Sequence, residues 1–253
     1  MFDNRLKKRL QAGKSAAGMF ITSTDPSLTE IAGIAGFDFV VIDTEHGPLQ
    51  PTDVMNHVRA AEARGITPIC RSTNSEATTV LRMLDTGAHG IQVPQVNSAN
   101  EAAQAVAAAK YHPEGNRGMA IPRALDFGLK DLMGSFAGSN RETLIIVHCE
   151  TEASLNDIDE IAGVDGVDVV FLGPFDLSQS MGIPGQVNHP SIQKAAETIL
   201  KVCRQYGKAA GIFAADGAQA KKRIEEGFQY VTINMDLTLY GLKCREEREK
   251  CGV

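Results

Sequence analysis

Eight short apolar runs recur along the chain, each trailed by a longer stretch patterned for a helix, and this alternation limits the available folds more than any other feature. The runs are Gly18–Ile21, Phe37–Asp43, Thr67–Arg71, Gly90–Val93, Leu144–Cys149, Val167–Leu172, Ala209–Phe213 and Tyr230–Asn234. They are continuously apolar rather than alternating, as parallel strands covered on both faces are. The helical patterns are Leu28–Ala35, Pro51–Arg64, Ala77–Asp85, Ser98–Lys110, Glu152–Ala162, Ser191–Tyr206, Ala218–Glu226 and Leu237–Arg248. Helix starts are marked by Asp25-Pro26-Ser27 and His189-Pro190-Ser191. Strand-then-helix order over 253 residues predicts one α/β domain, residues 1–253, folded as a (β/α)8 TIM barrel. A doubly wound open sheet is the alternative, disfavoured because no G-x-G-x-x-G motif follows the first run. The segment 111–142 breaks the rhythm with "HPEGNRG", "IPRALDFG" and "FAGSN". So long a connection is expected to be functional or to hold an extra helix.

Charge and cysteine content narrow the partners. A net charge of -6 argues against nucleic acid or an anionic membrane, since binding phosphate needs a basic face. No apolar run approaches the ~20 residues that cross a bilayer. The first residues, "MFDNRLKKRLQAGKSAAGMF", lack the apolar stretch of a secretory leader. The 5 Cys include no C-x-x-C pair, so a reducing cytoplasm is the expected compartment.

In a barrel of this kind chemistry collects where the strands run out. Four of the runs end in titratable groups that stand out. The second ends in "DTEHGP", bearing Asp43, Glu45 and His46; the third ends in Arg71; the fifth reaches Glu150; the sixth is followed by "GPFD" with Asp176. Either acid alone would serve as a helix cap. Together, at successive strand ends and without cysteine, Glu150 and Asp176 suit a hard divalent cation, Mg²⁺ or Mn²⁺. Two protein ligands leave positions open to substrate, which favours Lewis-acid catalysis over structural binding. Arg71 can hold a carboxylate or a developing enolate oxygen, or simply pair with an acid. His46 is the side chain suited to proton transfer near neutral pH, and Asp43 is placed to orient it. No strand end carries a lysine for a Schiff base, a G-x-S-x-G elbow or a Cys–His pair. The remaining chemistry is metal-assisted enolisation with a histidine base.

The stretches "DTEHGPL", "RSTNSEATTVLRMLDTGAHGIQVPQVNSANEA", "YHPEGNRG" and "ETEASLNDIDEIAGVDGVDVVFLGPFDLSQSMGIPG" together resemble the HpcH/HpaI family, from about Asn4 to the last helix. That family includes class II pyruvate aldolases for hydroxy-oxo acids, with macrophomate synthase as a relative. The resemblance implies a (β/α)8 barrel with a divalent metal (Mg²⁺ or Mn²⁺, Co²⁺ a further candidate) on Glu150 and Asp176. It implies His46 as a base acting through water, oriented by Asp43, and Arg71 as the group that stabilises a pyruvate enolate. It also implies backbone N–H groups around Gly173, Pro174 and Phe175 that grip the pyruvate carboxylate. Asp85 matches a family acid that supports the site across a subunit boundary, and the assembly is a homohexamer of two trimers with the last helix exchanged. The family usually has Gln where this chain has His148, a position implied to face the substrate. Arg117, in Gly115–Gly118, resembles a loop that holds an anion, or marks a plain Gly-Asn turn.

The expected reaction is therefore reversible cleavage of a 4-hydroxy-2-oxo acid into pyruvate and an aldehyde. Oxaloacetate decarboxylation through the same enolate, or a citrate-synthase-like or macrophomate-synthase-like condensation, is the alternative. A non-catalytic binding barrel is disfavoured, because mere binding needs neither a base nor an enolate-holding cation.

Overall fold

Parallel pairing obliges each strand to be followed by a crossover, and the chain supplies one after every run. In the computed structural model, which describes residues 2–252, the strands are β1 (Ala16–Ile21), β2 (Phe39–Asp43), β3 (Thr67–Arg71), β4 (Gly90–Val93), β5 (Leu144–Cys149), β6 (Val169–Leu172), β7 (Ala209–Ala214) and β8 (Tyr230–Met235). Each pairs in parallel with its neighbour in sequence, and β8 pairs back onto β1. The result is the closed (β/α)8 barrel that the alternation implied. β2 begins at Phe39 rather than Phe37, because Asp38 turns its carboxylate onto the Ala17 N–H (2.9 Å) as the chain enters the strand.

The helices are α1 (Arg5–Gln11), α2 (Ser27–Ile34), α3 (Pro51–Arg64), α4 (Ala77–Asp85), α5 (Ala99–Ala109), α6 (Leu132–Glu142), α7 (Glu152–Asn156), α8 (Ile158–Gly163), α9 (Pro174–Ser180), α10 (Pro190–Tyr206), α11 (Gly217–Glu226) and α12 (Asp236–Lys250). The long segment contains α6, preceded by a 3-10 stretch at Arg123–Gly128. The stretch expected as one helix over Glu152–Ala162 is instead α7 and α8. They part at Asp157, whose side chain accepts from the Ala99 N–H (2.8 Å) and so caps α5. The short α1 and α9 lack the length for a visible apolar period.

Strand side chains alternate between the two faces. Phe39, Val41, Ile69, Leu144, Ile146, Val169, Phe171 and Tyr230 fill the barrel interior. Val40, Ile42, Cys70, Ile91, Val147 and Val170 pack outward beneath the helices. One further step along the inward rows brings Asp43, Arg71, Gln92, His148 and Phe213 towards the barrel axis at the C-terminal end. At the other end α1 lies across the opening. Its Leu6 and Leu10 join the interior cluster. Asn4 donates to the His89 and Glu142 carbonyls, and Lys7 donates to the Thr143 carbonyl while pairing with Asp168 at 3.0 Å.

The inward row of β1 needs a glycine. A Cβ on Gly18 would lie 2.3 Å from the Phe39 ring, which stacks on Tyr230 with centroids 4.3 Å apart. Gly18→Ala should therefore destabilise the barrel by about 1–3 kcal/mol through overpacking. Gly241→Ala, in a helix with nothing near the added methyl, should be neutral or better. Guanidinium unfolding of both variants checks this, and equal midpoints would remove Gly18 from the packing argument.

Candidate active site

The ends of β2 and β3 are bound by charge. Asp43, fully buried, takes the Arg71 guanidinium on both oxygens, with Nε donating to Oδ1 at 2.8 Å and Nη2 reaching Oδ2. Asp43 Oδ1 also accepts the backbone N–H groups of Glu45 (3.0 Å) and His46 (3.3 Å). A second acid, Glu45, lies 3.1 Å from Arg71 Nη1, and the guanidinium sits 4.9 Å above the Phe20 ring centre. Burial opposes the charge on Arg71, but Asp43 and then Glu45 outweigh it and raise its pKa. Burial also pushes the Glu45 carboxyl above its ordinary value, against the pull of Arg71 and His46. The turn that follows is tight: a Cβ on Gly47 would lie 2.5 Å from the Asp43 carbonyl oxygen. It leaves the His46 ring 61% exposed, with Nε2 3.8 Å from Glu45 Oε2.

Here the geometry corrects one expectation. Asp43 does not hold the His46 ring, because its oxygens are committed to Arg71 and to the two backbone donors. It fixes the loop that carries His46, and Glu45 is the acid beside the imidazole.

The ends of β4, β5 and β6 converge on Glu150. Its Oε1 accepts from the Gln95 N–H at 2.7 Å, and its Oε2 lies 2.7 Å from His148 Nδ1. Gln95 delivers that N–H from a left-handed backbone (φ 54°), strain typical of a functional rim. Burial would raise the Glu150 pKa, yet His148, the Gln95 N–H and Arg71 together bring it below the ordinary glutamate value. The His148 proton can be located from its neighbours. The Gln92 amide nitrogen, which only donates, is 2.6 Å from His148 Nε2, so the ring proton is on Nδ1 and points at Glu150. Tyr230, deeply buried, donates to Gln92 Oε1 at 2.9 Å. Both ring nitrogens of His148 are thus engaged within the protein. The ring itself lines the cavity. Neither Gln92 nor Tyr230 stood out in the sequence; the inward row of β4 was the available signal for Gln92.

Asp176 sits in the first turn of α9 and is exposed. Among the described residues its carboxylate has no hydrogen-bond or ion-pair partner. Gly173 brings the backbone against Glu150, since a Cβ there would lie 2.7 Å from Oε2. The trio expected to grip a carboxylate is reduced. The Gly173 N–H is spent on the Cys149 carbonyl (3.3 Å), Pro174 has none, and only the Phe175 N–H is left.

His46, Arg71, His148, Glu150 and Asp176 line one cavity of about 260 Å³ at the C-terminal mouth. Asp43 lies behind Arg71, and Asp85 is elsewhere. Asp85 ends α4 and pairs with Arg117 (2.6 Å), whose guanidinium is buried 4.8 Å above the Tyr111 ring. Arg117 is therefore committed within the chain rather than open to an anion. A cleft of similar size (about 270 Å³) near Phe2, Glu62 and His89 lies at the opposite end, so chemistry rather than volume identifies the site. For a divalent cation, Glu150 and Asp176 offer oxygen donors only, one preorganised by N–H groups and one free. No group of three or more His, Cys, Asp or Glu suited to a metal exists among the described residues. The donor set fits a hard ion whose remaining positions are filled by substrate or water.

A family model described as HpcH/HpaI aldolase/citrate lyase matches residues 16–241. The chain is 35% identical over 241 residues to a Salmonella arizonae protein named 5-keto-4-deoxy-D-glucarate aldolase, covering 95% of this chain and 93% of that one. It is 36% identical over 255 residues to an Agrobacterium fabrum protein named hydroxypyruvate/pyruvate aldolase, covering 99% and 95%. A solved HpcH/HpaI aldolase/citrate lyase family protein from Burkholderia cenocepacia is similar with a TM-score of 0.94 at 31% identity, covering 99% of this chain and 100% of that one.

Removing one partner of a buried ion pair strands the other, a cost of about 3–5 kcal/mol. Asp43→Ala should lose that much stability in urea unfolding. Glu30→Ala, which breaks the half-exposed pair with Arg64, should lose no more than about 1 kcal/mol. Similar losses in the two variants would contradict the central place given to Asp43.

Proposed function

Because the chain belongs to the HpcH/HpaI aldolase/citrate lyase family, we propose that it is a class II pyruvate aldolase, reversibly cleaving a 4-hydroxy-2-oxo acid to pyruvate and an aldehyde. One observation carries this reading: an imidazole, a guanidinium and two metal-suited acids share a single cavity at the barrel mouth. A divalent cation on Glu150 and Asp176 would supply Lewis acidity towards the oxo-acid oxygens.

The chain's own groups do the rest. His46, exposed at the rim, takes the proton from the C4 hydroxyl, directly or through water. The electron pair of the C3–C4 bond moves onto the oxo-acid fragment, and the aldehyde leaves. Arg71 faces the enolate oxygen as its negative charge develops. Glu45, beside His46, offsets the imidazolium that forms. Proton return to C3 of the enolate then gives pyruvate.

A homo-oligomer, in the hexameric form of two trimers, belongs to the same proposal, with Asp85 acting towards a neighbouring copy's site. Its support is α12, along which Leu237, Tyr240 and Leu242 are exposed in the single chain. The reading also includes a reducing, cytoplasmic setting, supported by five free cysteines, of which Cys244 and Cys251 are exposed.

His46→Ala should lower kcat for aldol cleavage by about 10²–10⁴-fold, followed as pyruvate release. Retention of near-normal turnover would take His46 out of the proton-transfer role. Treatment with a chelator should abolish cleavage, and Mg²⁺ or Mn²⁺ should restore it. Full activity in the metal-stripped protein would overturn the class II assignment.

A further inference from the structure

The cavity has two unlike halves. Its polar side carries Arg71, Glu150 and Asp176, where the aldolase reading seats the pyruvate portion. The hydrocarbon lining is Phe20, beneath the Arg71 guanidinium, and Phe171, stacked on His148, together with Phe175, Phe213 and Met235. The barrel register places three of these rings, because Phe20, Phe171 and Phe213 occupy the inward rows of β1, β6 and β7.

The rings make one continuous surface. Phe20 packs against Phe171 (centroids 6.4 Å, planes at 74°) and against Phe213 (6.2 Å), and Phe213 meets Phe175 edge-on (6.1 Å, 71°). This wall climbs from Phe171, 2% exposed at the floor, to Phe175, 54% exposed at the rim. The Phe175 ring carries the apolar lining of the cavity out to its rim.

Equally telling is what this half does not offer. Among the described residues lining the cavity, Arg71 is the sole guanidinium and there is no lysine. Arg71 is already held by Asp43 and Glu45. Within one chain, a carboxylate at the far end of a substrate would meet no cation on this wall. Distal hydroxyls would be desolvated against phenyl rings without partners. The relative named 5-keto-4-deoxy-D-glucarate aldolase acts, by that name, on a hydroxylated diacid, which this wall does not match.

We propose that the aldehyde half of the substrate carries an uncharged apolar tail, a short alkyl chain or a phenyl ring, seated on Phe175 and Phe213. The proposal rests on the aldolase reading and names its substrate class. With the oxo-acid end on the polar side, a cavity of about 260 Å³ leaves room for a tail of that size. Phe175 and Phe213 are the residues that set this preference.

Two measurements on the intact, Mn²⁺-loaded protein test it. In calorimetry, 2-oxohexanoate and 2-oxoglutarate compare an apolar with a charged tail and bypass turnover. The apolar acid should bind at least about tenfold tighter, since a hydrophobic pocket discriminates at that level. In condensation with pyruvate, the ratio of kcat/KM for butanal over glyoxylate should fall by about tenfold in Phe213→Ser. A ratio within one preparation is independent of how much of the variant is folded. Equal or reversed binding, or an unchanged ratio in Phe213→Ser, would overturn the proposal. Exchange of pyruvate C3 protons with deuterated water separates the two failures. Exchange with a preference for charged tails sinks the apolar acceptor alone, whereas no exchange at all sinks the aldolase reading beneath it.

Discussion

The buried pair between Asp43 and Arg71 is the interaction on which the mouth of this barrel depends. Two neighbouring strands, β2 and β3, stand in register with Asp43 directly opposite Arg71. Their inward row therefore puts opposite charges face to face where the strands end. Because Asp43 also takes two backbone N–H groups of the following turn, the same carboxylate sets the guanidinium and the loop bearing Glu45 and His46. Arg71 is left aimed at the cavity, its remaining edge beside Glu45 and its face over Phe20. Charge at the rim is thus prepared before any ligand arrives, which is the condition for electrostatic stabilisation to act without reorganisation.

A second, quieter chain runs across the barrel. Tyr230 donates to Gln92, Gln92 to His148 and His148 to Glu150, so each donor points the same way and ends on an acid suited to a cation. Histidines that bind metals directly are usually steered by a carboxylate; here a histidine steers the carboxylate. Glu150 is left with its remaining lone pairs turned to the cavity, and the Gln95 N–H pins its other oxygen.

Much of this was legible in the residues. Continuous apolar runs and their spacing were enough for the barrel, and the residues after each run marked Arg71, Glu150, His46 and Asp176, which one cavity brings together. The failures have local causes. Short helices such as α1 and α9 leave no periodic trace. Asp43 and His46 are three apart in a turn, and sequence proximity there says nothing about which way a carboxylate faces; the strand register does, and it selects Arg71. Asp85 and Arg117 found one another across 32 positions, a pairing no local pattern records. Gly173 to Phe175 promised three donors, but the strand ladder takes one and proline never had one. The aromatic wall was hidden for a different reason: its rings come from three separate segments and converge only when the barrel closes.

The stopper formed by α1 has a consequence for traffic. With Leu6 and Leu10 seated in the barrel floor, the cavity is closed on that side. Phe175 stands at the mouth beside Asp176, and Glu150 lies deeper. In such a vessel the fragment bound innermost enters first and departs last. On the aldolase reading, the aldehyde is the outer tenant, so cleavage releases it ahead of pyruvate, and synthesis admits the oxo acid before its partner.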